Sequence, residues 1–309
     1  MGAKAEGTLP NSLRGHSYEA FSLIDAGLII DVSGLQQLHI DKTSGIAHIG
    51  AGFRSLPLYE ALWKEGLTIP AGTCATVGLS GLALGGGYGY LSRLMGMTCD
   101  NVLGVELIDA QGRRIRADAR EHSDLLWACR GGGDGSFGVI TSFTFRVHPI
   151  RDVTRFKLTW PFADLKKVVK YWQHWAPHTD DRLTSSLVIP AKHHGVMEAG
   201  GVFAGSEQEL RSLLRPFLAV APPLAVSVRT SSWIEAARLQ SVPDAKPVKF
   251  KNTSAYAYEP LPEAALDTLI RNLERVPGHS NFVMFDAYGE RYAGCRSANR
   301  RSRTAGLCS

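Results

Sequence analysis

The stretch Gly72–Gly89, reading GTCATVGLSGLALGGGYG, constrains the fold of this chain more than any other. Seven of its eighteen residues are glycine (Gly72, Gly78, Gly81, Gly85, Gly86, Gly87 and Gly89), and none is charged. Glycine at that density is a poor helix former and admits positive φ, so one regular element cannot run through it. A flexible linker would be rich in Ser and Gly with few apolar residues, which does not describe this stretch. What remains is buried, tightly turned main chain whose amides approach something closely. Amides in successive turns make a nest for an anion such as a diphosphate. Cys74 lies in the middle of it.

Two more glycine-containing turns accompany it, Leu13–Tyr18 and Gly131–Gly138. The second fits the dinucleotide fingerprint by letter, as Gly133-x-Gly135-x-x-Gly138. That fingerprint must follow a strand and open a helix, whereas this turn follows a helical run and opens a strand. No Gly-Lys pair exists, so there is no P-loop.

Between the turns the pattern is mixed α and β. Leu28–Val32 reads as a strand, His39–Asp41 and Ile46–Ala51 as a hairpin, and Leu58–Lys64 as a helix ended by Gly66. Val102–Asp109 and Arg113–Ala117 read as a second hairpin, Ser123–Cys129 as a helix, and Val139–Val147 as a strand. Beyond Pro149 the glycine density falls. Strands are expected at Phe156–Trp160, Leu183–Ile189, Met197–Phe203, Leu224–Ser231 and Asn281–Phe285. Helices are expected at Asp164–Trp175, after a Ser206/Glu209 capping box, and at Leu261–Leu273. This βαββαβ order implies an antiparallel sheet with helices on one face. The chain divides into a leader (1–12), a first domain (13–150), a second domain (151–289) and a basic tail (290–309).

At 309 residues, 44 % hydrophobic and 20 % charged, the composition is that of an ordinary soluble globular protein. No apolar run approaches the roughly 20 residues that span a bilayer, and no signal-peptide core is present, which argues against a membrane and for a cytoplasmic setting. The net charge of +5 is concentrated in the tail, where five arginines (Arg291, Arg296, Arg300, Arg301 and Arg303) oppose Glu290, leaving about +1 for the body. Without periodicity or interleaved aromatics the tail does not read as a nucleic-acid surface. Five cysteines are spaced too widely for a zinc pair, and no metal site is expected; His193 and His194 read as turn residues. His174 and His178 stand four apart, but Pro177 breaks the helix that would align them. Taken singly, Cys74 reads as a small buried hydrophobe and His16 as a turn residue.

Taken together, these motifs carry a resemblance. In order they are Arg14-Gly15-His16-Ser17-Tyr18-Glu19, Gly72-Thr73-Cys74-Ala75-Thr76-Val77-Gly78, Gly85-Gly86-Gly87-Tyr88-Gly89 with Ser92-Arg93, Asp100-Asn101-Val102, Asp124–Ala128, and Gly131–Gly138 with Val139-Ile140-Thr141. They resemble the FAD-linked oxidases of the berberine-bridge-enzyme type, within the vanillyl-alcohol-oxidase superfamily. The resemblance implies an α+β fold, with a partial PCMH-type FAD-binding domain and an antiparallel-sheet substrate domain. It implies FAD contacts from Arg14, Gly15, His16, Ser17, Tyr18, Gly72, Thr73, Cys74, Thr76, Val77, Gly78, Gly81, Gly85, Gly86, Gly87, Tyr88, Gly138, Val139 and Ile140. His16 and Cys74 occupy the positions that bond the flavin in bicovalent members. The resemblance further implies that a hydride passes to flavin from a small-molecule alcohol, sugar or amine, with O₂ as the expected acceptor.

The chain departs from the family pattern at both ends. The βαβ unit expected before His16 is absent, and Glu290–Ser309 does not resemble the family. The tyrosine base usual near the family's C-terminus is not found, so the catalytic residue is unassigned. These departures suggest a fragment or frame-shifted product, with a non-catalytic remnant that binds FAD weakly or not at all as the alternative reading. A cofactor-free, basic-tailed scaffold is the third. Tyr88, Trp233, Tyr256 and Tyr258 are candidates for an apolar pocket or for plain core aromatics.

Overall fold

The computed structural model describes residues 16–17, 22, 29–133, 135–240, 251–277 and 281–289. Its strands in chain order are β1 (Leu38–Asp41), β2 (Ile46–Gly50), β3 (Leu67–Thr68), β4 (Val102–Ile108), β5 (Arg114–Asp118), β6 (Val139–Arg146), β7 (His148–Pro149), β8 (Asp152–Pro161), β9 (Leu183–Pro190), β10 (Val196–Phe203), β11 (Ala225–Ser232) and β12 (Phe282–Asp286). Its helices are α1 (Ser55–Trp63), α2 (Leu79–Gly85), α3 (Ser92–Met95), α4 (Ser123–Cys129), α5 (Leu165–Trp175), α6 (Glu207–Val220), α7 (Trp233–Gln240) and α8 (Glu263–Arg275).

The first sheet is antiparallel throughout, in the order β1-β2-β6-β4-β5. Alternate residues Ala47, Ile49, Val105, Leu107, Phe143 and Phe145 are buried, and they pack with Leu58, Tyr59 and Leu62 of α1 and Leu79, Leu82 and Ala83 of α2. The second sheet, β11-β8-β10-β9-β12, is also antiparallel. Phe156, Leu158, Trp160, Leu187 and Ala199 share a core with Leu165, Val168, Val169 and Trp172 of α5, Leu210, Leu214 and Phe217 of α6, and Leu266 of α8. The Ser206 capping box forms as its spacing dictates: Glu209 N donates to Ser206 Oγ at 3.3 Å, and Ser206 N to Glu209 Oε2 at 2.9 Å.

Two expectations change. The described part of Leu28–Val32 is not a strand. Asp31 Oδ1 accepts from Ser33 N at 2.8 Å and Val32 O from Leu35 N at 2.9 Å, so local turn bonds replace a ladder. Helix α7 is the addition. It directly follows β11 yet packs into the first core, where Trp233 is 2 % exposed. Its signal is Ser232-x-x-Glu235, a capping-box spacing whose Glu235 N does donate to Ser232 Oγ, at 3.3 Å. Trp233 is therefore a core residue rather than a pocket wall.

Arg93 of α3 stitches the two packed cores together. It is fully buried, and its guanidinium donates to the carbonyls of Ala176, Pro177 and Thr179, beyond the end of α5, with Asp181 at 3.5 Å. Among the described residues no helix is long and apolar enough to cross a membrane, and no cluster of three His, Cys, Asp or Glu could hold a metal. His178 Nδ1 pairs with the His174 carbonyl at 2.8 Å.

Candidate cofactor site

The glycine-rich stretch is two turns around the short helix α2, and its orientation is set by α1. Tyr59 Oη donates to Gly72 O at 3.0 Å, Leu56 N to Ala75 O at 3.1 Å, and Ser55 N to Val77 O at 2.9 Å. A trans peptide points its carbonyl and the following N–H in opposite directions. Gripping those three carbonyls therefore turns the amides of Thr73, Thr76 and Gly78 away from α1. No amide of residues 72–78 donates to an acceptor among the described residues. A run of donors without protein acceptors is chemically suited to an anion.

His16 meets this run. Its Nε2 lies 2.9 Å from Thr76 Oγ1, so the first turn packs on the second, two residues from Cys74. The imidazole is exposed over much of its surface, yet the part out of water, with the Arg54 guanidinium nearby, pulls its pKa below the ordinary value. It is accordingly neutral near pH 7, with Nδ1 left for another bond. Cys74 is a half-buried free thiol, its Sγ 4.0 Å from Thr73 Oγ1.

The turn that follows α2, Gly85–Tyr88, faces the end of β12. Gly87 has φ of +81°, and a Cβ there would lie 2.2 Å from Thr98 Oγ1, so a side chain is excluded. Tyr88 Oη donates to Ala287 O at 3.3 Å, and its ring lies tilted against that of Tyr288, with centroids 4.7 Å apart; the Tyr288 ring meets Tyr256 at 5.6 Å. Tyr258 is 83 % exposed and stands apart from this group. Burial, reinforced by Asp286, pushes Tyr90 up to about 12 and Tyr88 well above its ordinary value. Tyr90 also feels Cys74. Asp286 is itself raised by burial, which outweighs the hydrogen bond from Ser186 Oγ. Nothing in the sequence reveals that the carboxyl of Asp286, at the end of β12, is half-buried beside tyrosines.

The remaining expected contacts scatter. Arg14, Gly15 and Tyr18 lie outside the described residues, and Ser17 is half-buried beside His16. Gly81 is exposed on α2, and Gly85 and Gly86 end that helix. Gly138, at φ +137°, leaves no room for a Cβ, which would lie 2.4 Å from Ile108 O. Val139 and Ile140 follow it into β6, opposite Ile108 and Leu107, with Ile140 in the core. The Gly131–Gly138 turn reaches α2, where Gly133 N donates to Leu84 O at 3.2 Å.

Donor-only main chain, a neutral imidazole and a thiol on adjoining turns fit a dinucleotide that carries both a diphosphate and a reactive ring. The sequence profile of the FAD binding domain matches residues 14–118. The class is that of the FAD-linked oxidoreductases. The FAD-linked oxidoreductase YgaK of Bacillus subtilis is 41 % identical over 291 residues, covering 92 % of this chain and 64 % of its own. The structure of BBE-like 1 from Physcomitrella patens superposes with a TM-score of 0.80 at 35 % identity, over 90 % of this chain and 63 % of that one. A berberine bridge enzyme variant in complex with (S)-reticuline gives 0.84 at 27 % identity, over 93 % and 61 %. Over about nine tenths of its own length this chain is similar to the berberine-bridge-enzyme-like proteins, and it has their PCMH-type α+β fold. It spans a little under two thirds of the length of these relatives.

Proposed function

We propose that this chain holds FAD covalently through His16 and Cys74 and takes part in oxidising a small alcohol, sugar or amine, with O₂ as acceptor. In this reading residues 13–150 hold the cofactor and residues 151–289 contribute the substrate side. The observation that carries the reading is the His16–Thr76 contact, which brings the imidazole onto the turn that bears Cys74. Bound FAD supplies a two-electron acceptor. The outward amides of Thr73, Thr76 and Gly78 receive its diphosphate. Thr76 engages Nε2 of His16 and leaves Nδ1 for the flavin, and two tethers fix the ring's orientation.

An alcohol or amine that loses a hydride must also lose a proton. Tyr88, Tyr90 and Tyr288 keep their protons at neutral pH because burial raises all three. Asp286 is the better acceptor: burial moves its pKa up toward the working range of a general base. Replacing it by Asn should lower turnover about 10²- to 10⁴-fold while flavin stays bound.

Acid precipitation of the FAD-loaded chain tests the assignment. Yellow colour that stays with the pellet supports covalent attachment, and His16→Ala and Cys74→Ala should each remove one bond. Flavin released wholly into the supernatant would remove it.

A further inference from the structure

Tyr59 lies outside every glycine motif, yet it touches the cofactor turn. It sits on α1, is 5 % exposed, and its hydroxyl donates to the Gly72 carbonyl at 3.0 Å. Its ring meets Trp233 edge-on, with centroids 5.4 Å apart. Trp233 in turn donates from Nε1 to Thr68 Oγ1 at 3.0 Å, and Thr68 is fully buried. Helix α1, the Thr68 strand and α7, which follows β11 of the second sheet, thus converge on one peptide of the nest.

The consequence follows from peptide planarity. Ser55 and Leu56 hold the Val77 and Ala75 carbonyls through their main-chain N–H groups, which no substitution but proline removes. At Gly72 the grip is a side chain. Glycine at that position gives the peptide wide rotational freedom, so without a donor its carbonyl is free to swing. We propose that the Tyr59 hydroxyl is a positioning group for cofactor binding: it holds Gly72 O inward, so that the Thr73 amide, next to Cys74, faces the anion. The proposal rests on the FAD reading above. It adds a residue that touches neither the cofactor nor the reacting atoms.

The test uses the full chain carrying His16→Ala and Cys74→Ala, so that flavin exchanges freely. FAD and riboflavin are titrated separately, because riboflavin has the ring and lacks the diphosphate. Tyr59→Phe keeps the ring and its packing and removes one hydrogen bond. It should weaken FAD about three- to tenfold and leave riboflavin unchanged. Trp233→Phe removes a different buried hydrogen bond of the same cluster, from Thr68, and should lower the melting temperature without changing the FAD-to-riboflavin ratio. Equal weakening of both flavins by Tyr59→Phe, or an unchanged FAD affinity, would overturn the positioning role and leave the FAD reading standing. A parent chain that binds neither flavin would overturn both.

Discussion

Helices α2 and α6 illustrate two ways in which this chain specifies structure. Helix α6 has fourteen residues, a capping box and one apolar stripe, so its own sequence says where it starts and which face it buries. Helix α2 has seven residues, two of them glycine, and no side-chain cap. Its place is dictated from outside, by α1 bonding to the carbonyls before it and by Ser80 Oγ reaching Ala51 O at 2.7 Å. The second sheet and its helices are held by apolar packing, which is non-directional and proportional to area. The glycine turns are held by hydrogen-bond direction, which leaves donors free for a ligand. Stability in the first case and binding in the second should therefore respond to different substitutions.

The sharpest way to break that contrast is Phe217→Ala. Phe217 is fully buried, and its ring lies 5.0, 5.3 and 5.1 Å from Trp160, Tyr171 and Trp175. Its removal should cost about 3–5 kcal/mol by denaturant titration, while the folded fraction still takes up FAD. Loss of FAD binding without loss of stability would contradict the division. Arg93→Met comes next, at about 3 kcal/mol, because three carbonyls lose their donor at once. Here both stability and flavin uptake should suffer, since Arg93 ties the end of the glycine stretch to the chain beyond α5. Ser206→Ala should cost about 1 kcal/mol through the lost cap and leave binding untouched.

The smallest effects are in pH dependence, and they run in opposite directions. Hydrogen bonds from Ser206, then Arg182, hold Glu209 down to about 2 against an ordinary 4.5, so its contribution is present above pH 4.5 and is lost toward pH 2. Burial raises Asp286 above 3.8, so its protonated form favours folding, and that contribution is lost as pH rises through the folded value. In pH-dependent melting curves Glu209→Gln should flatten the acid limb, and Asp286→Asn the decline above it.

The same division explains what could be read in advance. In the second half, periodicity located β8 through β12 and α5, α6 and α8, because each buries a regular face. Helix α7 is the exception, because its Ser232/Glu235 spacing directly abuts the strand pattern of β11 with no intervening loop. In the first half, the glycine turns, Cys74 and His16 stood out as letters. Their hydrogen-bond directions did not, because Tyr59, Ser55 and Leu56 are remote in sequence and the bonds they make depend on the assembled fold. Asp286 was hidden for the same reason: its half-buried place near Tyr88, Tyr90 and Tyr288 is a tertiary fact.

The central claim is that amides of residues 72–78 face a diphosphate. Backbone hydrogen exchange across that segment, with and without FAD, measures it directly. Thr73, Thr76 and Gly78, which have no acceptor among the described residues, should exchange fast in the free chain and become protected when FAD binds. Protection already present without flavin, or fast exchange that persists while flavin is demonstrably bound, would contradict the account.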